Sequence, residues 1–222
     1  MNRIAALLVV LGLSTTPHTV TIEGGRRVLK SASGYQTVSM LDGGRTGLYY
    51  DSGELIGKLR PNAHDVVLLG LGGGEMLRAV RRTLPKAHLV GVEKDPDTAT
   101  AAFYTFGMRE LGVNVVSANA IELAYGYLPK AQGGSSFLIP APEYDAVLVD
   151  LYEDSEMVPA STRRLFFAAC ARALRPGGIL LMNVYPASRY AEVAAEAVGA
   201  DFTVWRDDTW APNAMLVGTK PY

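Results

Sequence analysis

The segment Leu69-Gly70-Leu71-Gly72-Gly73-Gly74-Glu75 sets four glycines and a carboxylate between an apolar run and a helical pattern. Glycines there let the backbone approach a ligand closely, at the carboxyl end of a strand, where α/β sheets bind nucleotides. A tight strand-to-helix turn with no ligand has the same appearance, so the cluster alone decides nothing. Glu93 supplies a second signal. It ends the next apolar run, 23 residues after Gly70, where a carboxylate accepts both hydroxyls of a ribose. Gly70–Gly74 and Glu93 together point to a nucleoside. A dinucleotide would place the third glycine of G-x-G-x-x-G at position 75, where this chain has Glu75. The bulk of that residue opposes close helix–strand packing, and its charge repels a pyrophosphate. A sulfonium with an amine tail is favoured instead.

The third candidate is Asp150, followed by Leu151-Tyr152-Glu153-Asp154-Ser155-Glu156, with four acids in seven residues. Such a cluster suits a cationic acceptor, or raises the pKa of one carboxylate into the range of base chemistry. Asp150 is anchored at a strand end and is expected to act, because ligands bind outside such ends. Glu156 is expected to be a solvated loop acid. Tyr152 either lines an acceptor site or simply packs. Trp205 and Trp210 are expected in the core or at an interface.

The elements that must position these residues follow from periodicity. After Pro61, the runs Val66–Leu69, Leu89–Val92, Val113–Ser117, Ala146–Val149 and Ile179–Val184 read as strands. Helical patterns lie over Met76–Leu84, Pro96–Met108 with Asp95 as N-cap, Ala120–Leu128, Thr162–Leu174 and Ser188–Val198. Alternating strands and helices predict a parallel, doubly wound sheet. Phe202–Trp205 and Ala214–Gly218 lie too close for a helical crossover and predict an antiparallel hairpin at its edge. Before Pro61, Thr19–Ile22, Arg27–Leu29, Tyr35–Leu41 and Gly47–Tyr50 are β-prone and punctuated by glycines, which reads as hairpins. The chain therefore divides into an N-terminal β region over 1–61 and a Rossmann-like domain over 62–222.

The quoted residues resemble a family. VVLLGLGGGEMLRAVRR, LVGVEKDP, YDAVLVDLYED and LRPGGILLMNVY are similar to the class I S-adenosylmethionine-dependent methyltransferase fold, and more narrowly to spermidine synthase and its relatives. The resemblance runs from about Tyr35 to Lys220. GGGE stands where those synthases carry GGGD, DLYED where they carry D-S-x-D-P, and Gly34-Tyr35-Gln36 resembles their Y-Q segment. It implies that Gln36 contacts the nucleoside, Glu93 the ribose and Glu75 the aminopropyl amine. It implies that Asp150 helps deprotonate the attacking amine and that Glu153 binds the acceptor amine. Asn119, in SANAIEL, stands where the family has an acidic adenine contact, and its amide carbonyl can still accept from the adenine amino group. The family's D-E-x-x-Y-H-E stretch appears as Asp51-Ser52-Gly53-Glu54-Leu55-Ile56-Gly57-Lys58, without the Tyr-His pair. Donor binding is thus better supported than polyamine binding. The implied activity is aminopropyl transfer from decarboxylated S-adenosylmethionine to a small-molecule amine, a step in polyamine biosynthesis. Methyl transfer from S-adenosylmethionine and a non-catalytic nucleoside-binding relative are the alternatives.

Composition narrows the classes further. With 21 basic against 22 acidic residues in 222, the chain has no excess of cations to displace counterions, so no nucleic-acid partner is expected. A hydrophobic content of 49% excludes a disordered chain. The single cysteine, Cys170, excludes an intrachain disulfide, and the scattered His18, His64 and His88 show no metal-ligand spacing, so no metal is expected. Ile4–Leu13 is too short to span a bilayer, which takes about 20 residues. It reads as a buried element or as the core of a signal peptide over 1–16, although LSTTPHT lacks an A-x-A cleavage site. Cytoplasmic residence is the expectation. Strand edges in the N-terminal region offer a route to a homodimer.

Overall fold

The computed structural model describes residues 9–11, 18–31, 34–126, 144–153 and 155–222. Most of the N-terminal apolar segment, the QGGSSFLIPAPE stretch and Asp154 lie outside them.

Four antiparallel strands come first: β1 (Val9–Leu11), β2 (His18–Glu23), β3 (Arg26–Ser31) and β4 (Gly34–Met40), in that spatial order. Gly24 and Gly25, both at positive φ, form the two-residue turn between β2 and β3 whose twist matches the strands. The β-prone run Gly47–Tyr50 departs from expectation. Tyr49–Gly53 is a 3₁₀ helix that passes into α1 (Glu54–Leu59). The Asp51 carboxylate accepts from the Gly47 amide at 2.7 Å and from Thr46 Oγ1 at 3.1 Å, which curls the chain. Arg82 grips both Asp51 and Glu54 from the next helix. These are tertiary ion pairs, and local β preference yields to them.

The remaining elements build one seven-stranded sheet. They are β5 (Asp65–Leu69), α2 (Glu75–Thr83), β6 (His88–Glu93), α3 (Pro96–Tyr104), β7 (Val113–Ser117), α4 (Ala120–Gly126) and β8 (Tyr144–Val149). A small hairpin, β9 (Tyr152–Glu153) with β10 (Glu156–Met157), occupies the acidic stretch read above as a loop. Then come α5 (Arg164–Ala173), β11 (Leu174–Val184), α6 (Tyr190–Val198), β12 (Thr203–Asp207) and β13 (Ala214–Thr219). The strand order is β12-β13-β11-β8-β5-β6-β7. All neighbours are parallel except β13, which runs antiparallel to β11 and to the edge strand β12. The expected terminal hairpin is therefore present, with its second strand inserted inside the first.

Both faces of this sheet are buried. On one face Val67, Leu69, Val147 and Val149 pack on Phe166, Phe167 and Val193 of α5 and α6. On the other Val66, Leu68, Ala146 and Leu148 pack on Leu77 and Val80 of α2 and on Ile56 of α1. Burial on both sides explains why the strands read as continuous apolar runs. Winding reverses between β5 and β8, so the crevice for a ligand opens beyond their carboxyl ends. No helix among the described residues is long and apolar enough to cross a membrane.

Candidate active site

A cavity of about 680 Å³ opens at that switch point. Its floor is the loop between β5 and α2. Gly70, at φ 86°, lies so close to β8 that an added Cβ would stand 2.1 Å from the Asp150 carbonyl oxygen. Gly74, at φ 85°, is the N-cap of α2, and a Cβ there would meet the sulfur of Met108 at 2.2 Å. Neither position admits an L side chain without movement.

Every amide of this loop is already used. Gly70 and Leu71 donate to the Val92 carbonyl, and Gly74 donates to that of Leu71. Gly72 donates to Glu93 Oε2 at 3.0 Å, and Gly73 to Thr37 Oγ1 at 2.8 Å. A phosphate-binding turn needs free N–H groups aimed at the ligand. The amides of Gly70–Gly74 are spent within the protein, which adds to the argument against a dinucleotide made by the charge at position 75. Gly70, Gly72 and Glu75 line the cavity, whereas Gly73 and Gly74 support it from behind.

Glu93 ends β6. Its Oε1 accepts from the Asp95 amide at 3.1 Å and its Oε2 from Gly72, which fixes the carboxylate and leaves each oxygen capacity for a hydroxyl. Burial pushes its pKa up, and the backbone donors offset part of that rise. Gln36 and Asn119 also line the cavity. The Gln36 carbonyl accepts from the Tyr50 phenol at 3.2 Å. Asn119 Oδ1 accepts from the Ile121 amide at 3.0 Å, so it caps α4 as well as facing the cavity.

Glu75 is not a solvated first-turn acid. Its side chain is 1% exposed, and Oε1 accepts from Arg78 Nε at 2.9 Å. Oε2 is buried without a hydrogen-bond partner among the described residues. Such an oxygen is costly to leave unmatched, and a cationic ligand in the cavity would match it.

Asp150 follows β8. Oδ2 accepts from the Tyr49 phenol and Oδ1 from Asn183 Nδ2, both at 2.9 Å. Asn213 Nδ2 in turn donates to Asn183 Oδ1 at 2.8 Å, which fixes that amide. Burial pushes the Asp150 pKa up to about 6, against the lowering effect of Asn183 and Tyr49; repulsion from Glu93 adds only a minor part. The rise expected from a crowd of acids thus comes mainly from desolvation. Burial also drives the Tyr49 phenol well above its usual range, so it remains a donor.

Tyr152 lines the cavity and spans to β11, accepting from the Tyr185 amide at 2.8 Å and donating to the Asn183 carbonyl at 3.1 Å. Glu153 differs from Asp150. It is exposed and paired with Lys94, at the rim of the cavity. Asp51 and Glu54 face Arg82 and Arg45 and do not line the cavity.

Thr37, Tyr49 and Asn183 are among the residues that escaped the sequence reading. Thr37 and Tyr49 act through partners remote in the chain, and no local pattern marks them. Asn183 carried a signal: an amide within the apolar run ILLMNV, 2% exposed, must find partners.

No family model matches the chain. It is 29% identical over 197 residues to a probable polyamine aminopropyl transferase of Bifidobacterium longum, a match covering 85% of this chain and 41% of that protein. It is 30% identical over 118 residues to the polyamine aminopropyltransferase of Chromobacterium violaceum, covering 53% of this chain and 41% of the other. The chain thus spans well under half the length of these relatives. Among solved structures, a probable spermidine synthase from Corynebacterium glutamicum superposes with a TM-score of 0.72 at 15% identity, covering 96% of this chain and 80% of its own. A spermidine synthase in complex with the transition-state analogue AdoDATO gives 0.70 at 16% identity, covering 96% and 73%. Human methyltransferase-like protein 13 in complex with SAH gives 0.58 at 21%, covering 79% and 80%. These structural likenesses establish the class I methyltransferase-like, Rossmann-type fold read from the sequence, and the sequence matches agree with its resemblance to spermidine synthases.

Proposed function

We propose that this chain is a transferase that binds decarboxylated S-adenosylmethionine and moves its aminopropyl group to an amine. The observation that carries the reading is the pairing of two carboxylates over one cavity: Asp150, with its pKa near 6, and Glu75, with a buried unmatched oxygen. Glu93 would hold the ribose, Gln36 and Asn119 would flank the nucleoside, and Glu75 would accept from the ammonium of the aminopropyl tail. The acceptor enters as an ammonium and loses a proton to Asp150. The freed nitrogen lone pair attacks the carbon beside the sulfonium. The C–N bond forms as the C–S bond breaks, and sulfur keeps the electron pair in methylthioadenosine. The proton leaves Asp150 for solvent. Most of the acceleration comes from holding the two substrates in line.

Methyl transfer from S-adenosylmethionine is the second reading, and Arg78 favours it. Its guanidinium beside Glu75 offsets part of the charge that would repel the carboxylate of that donor. Two unscreened carboxylates about 4 Å apart cost roughly 4 kcal/mol at an effective dielectric near 20. Even a quarter of that favours the decarboxylated donor severalfold. Calorimetric titration is therefore expected to show tighter binding of decarboxylated S-adenosylmethionine and methylthioadenosine than of S-adenosylmethionine and S-adenosylhomocysteine, with a smaller gap in Glu75→Gln. The reverse order would replace aminopropyl transfer with methyl transfer. Binding without turnover, tested with labelled donor, would leave a nucleoside-binding relative.

A further inference from the structure

Resting on the adenosyl reading of the cavity, whichever group the donor transfers, we infer that Thr37 of the N-terminal sheet is a positioning residue for the nucleoside, holding the glycine loop in the conformation that aims Glu93 at the ribose. Thr37 lies in β4 and is 2% exposed. Both arms of its branched side chain press on the loop. The hydroxyl accepts from the Gly73 amide at 2.8 Å. A Cβ added at Gly72 would stand 2.8 Å from that hydroxyl oxygen, and one at Gly73 would stand 2.6 Å from the Thr37 methyl carbon and 2.8 Å from the Phe106 ring. Gly73 is thus clamped between a strand of the N-terminal sheet and the chain that follows α3. Only the two torsions of Gly72 separate the peptide plane that Thr37 holds from the plane whose N–H donates to Glu93 Oε2. Glycine adds no stiffness of its own there, so the hold comes from its neighbours. Among the described residues, Thr37 and Glu93 are the only side chains that accept from the amides of Gly70–Gly74. Without the hydroxyl, the buried Gly73 amide loses its acceptor, and the loop must shift to find another. Glu93 then loses part of its hold, and a ribose must restore that order as it binds.

The test is calorimetric titration of methylthioadenosine and S-adenosylhomocysteine into the unmodified protein, Thr37→Val, Thr37→Ser, Glu93→Ala and the Thr37→Val/Glu93→Ala double variant. Thr37→Val keeps the shape and removes the hydroxyl, and should weaken both ligands about five- to twentyfold. Thr37→Ser keeps the hydroxyl and should stay within about threefold of the unmodified protein. In the Glu93→Ala background, Thr37→Val should cost less than about twofold, because the two residues act as one unit. The inference is overturned if Thr37→Val changes affinity less than twofold, if Thr37→Ser is as weak as Thr37→Val, or if the loss is as large without Glu93, which would make Thr37 a separate contact. An unmodified protein that binds neither ligand would instead overturn the adenosyl reading beneath it.

Discussion

The Tyr49 phenol and the Asp150 carboxylate meet in a 2.9 Å hydrogen bond across 101 residues of chain. The contact joins the end of the N-terminal region to the carboxyl end of a central strand. It decides how basic Asp150 is, because a donor to a carboxylate stabilises the charged form.

Tyr49→Phe removes that donor while keeping the ring. The Asp150 pKa should then rise above about 6, which leaves less carboxylate at neutral pH. The acid limb of the kcat profile should move to higher pH, with little change in affinity for methylthioadenosine. A profile identical to that of the unmodified protein would separate Tyr49 from the base.

Asp150→Asn should cost on the order of a hundredfold or more in turnover with donor binding nearly intact. Stability should move the other way. The folded state binds the proton more tightly than the unfolded chain, so Asp150 lowers stability as pH rises from about 4 to 6. Removing the charge should raise the unfolding free energy at pH 7 by on the order of 2 kcal/mol, read from urea titration. A variant both inactive and less stable at pH 7 would point to general disruption instead.

Glu93→Ala should weaken any adenosyl ligand. Hydrogen bonds to a charged group are worth about 1.5–3 kcal/mol, so affinity should fall roughly ten- to a hundredfold in calorimetry. Unchanged affinity would place the ribose elsewhere.

Glu54 makes a prediction about acid unfolding. The Arg45 side chain, helped by Arg82, holds its carboxyl down to about 2 despite burial. The stabilisation is complete above the unfolded value of 4.5 and is lost as pH falls from there towards 2. Arg45 is 70% exposed, so solvent screens part of the effect and about 1–2 kcal/mol remains. The urea midpoints of Glu54→Gln and the unmodified protein should differ at pH 7, and the difference should shrink as pH falls below 4.5 and close near pH 2. A constant difference across that range would remove Glu54 from the acid response.

What the sequence made legible was whatever repeats locally. The strands β5, β6, β8 and β11 are apolar because both faces are covered, and that shows in any short window. The Gly70–Gly74 turn and Glu93 were legible because a strand precedes each of them. The stretch over 47–59 was not, because its helix has only six residues, too few to hold itself together, and depends on Arg82 and Arg45. Glu153 looked like a second Asp150 because it lies three residues away. Only the third dimension shows one carboxylate at the cavity wall and the other at the rim beside Lys94.

The near-contact between Gly70 and the Asp150 carbonyl bears on how such a protein can diversify. The donor floor and the base are fused through backbone, so a substitution that shifts one shifts the other. The acceptor half is built from side chains on a two-residue hairpin strand, a turn and a strand end, at Tyr152, Tyr185 and Asn213. The Tyr185 side chain can be exchanged with the floor undisturbed, whereas Tyr152 and Asn213 also hold Asn183 and, through its amide, Asp150. Selection can therefore retune the incoming amine in small steps, while a new donor chemistry would require several simultaneous changes.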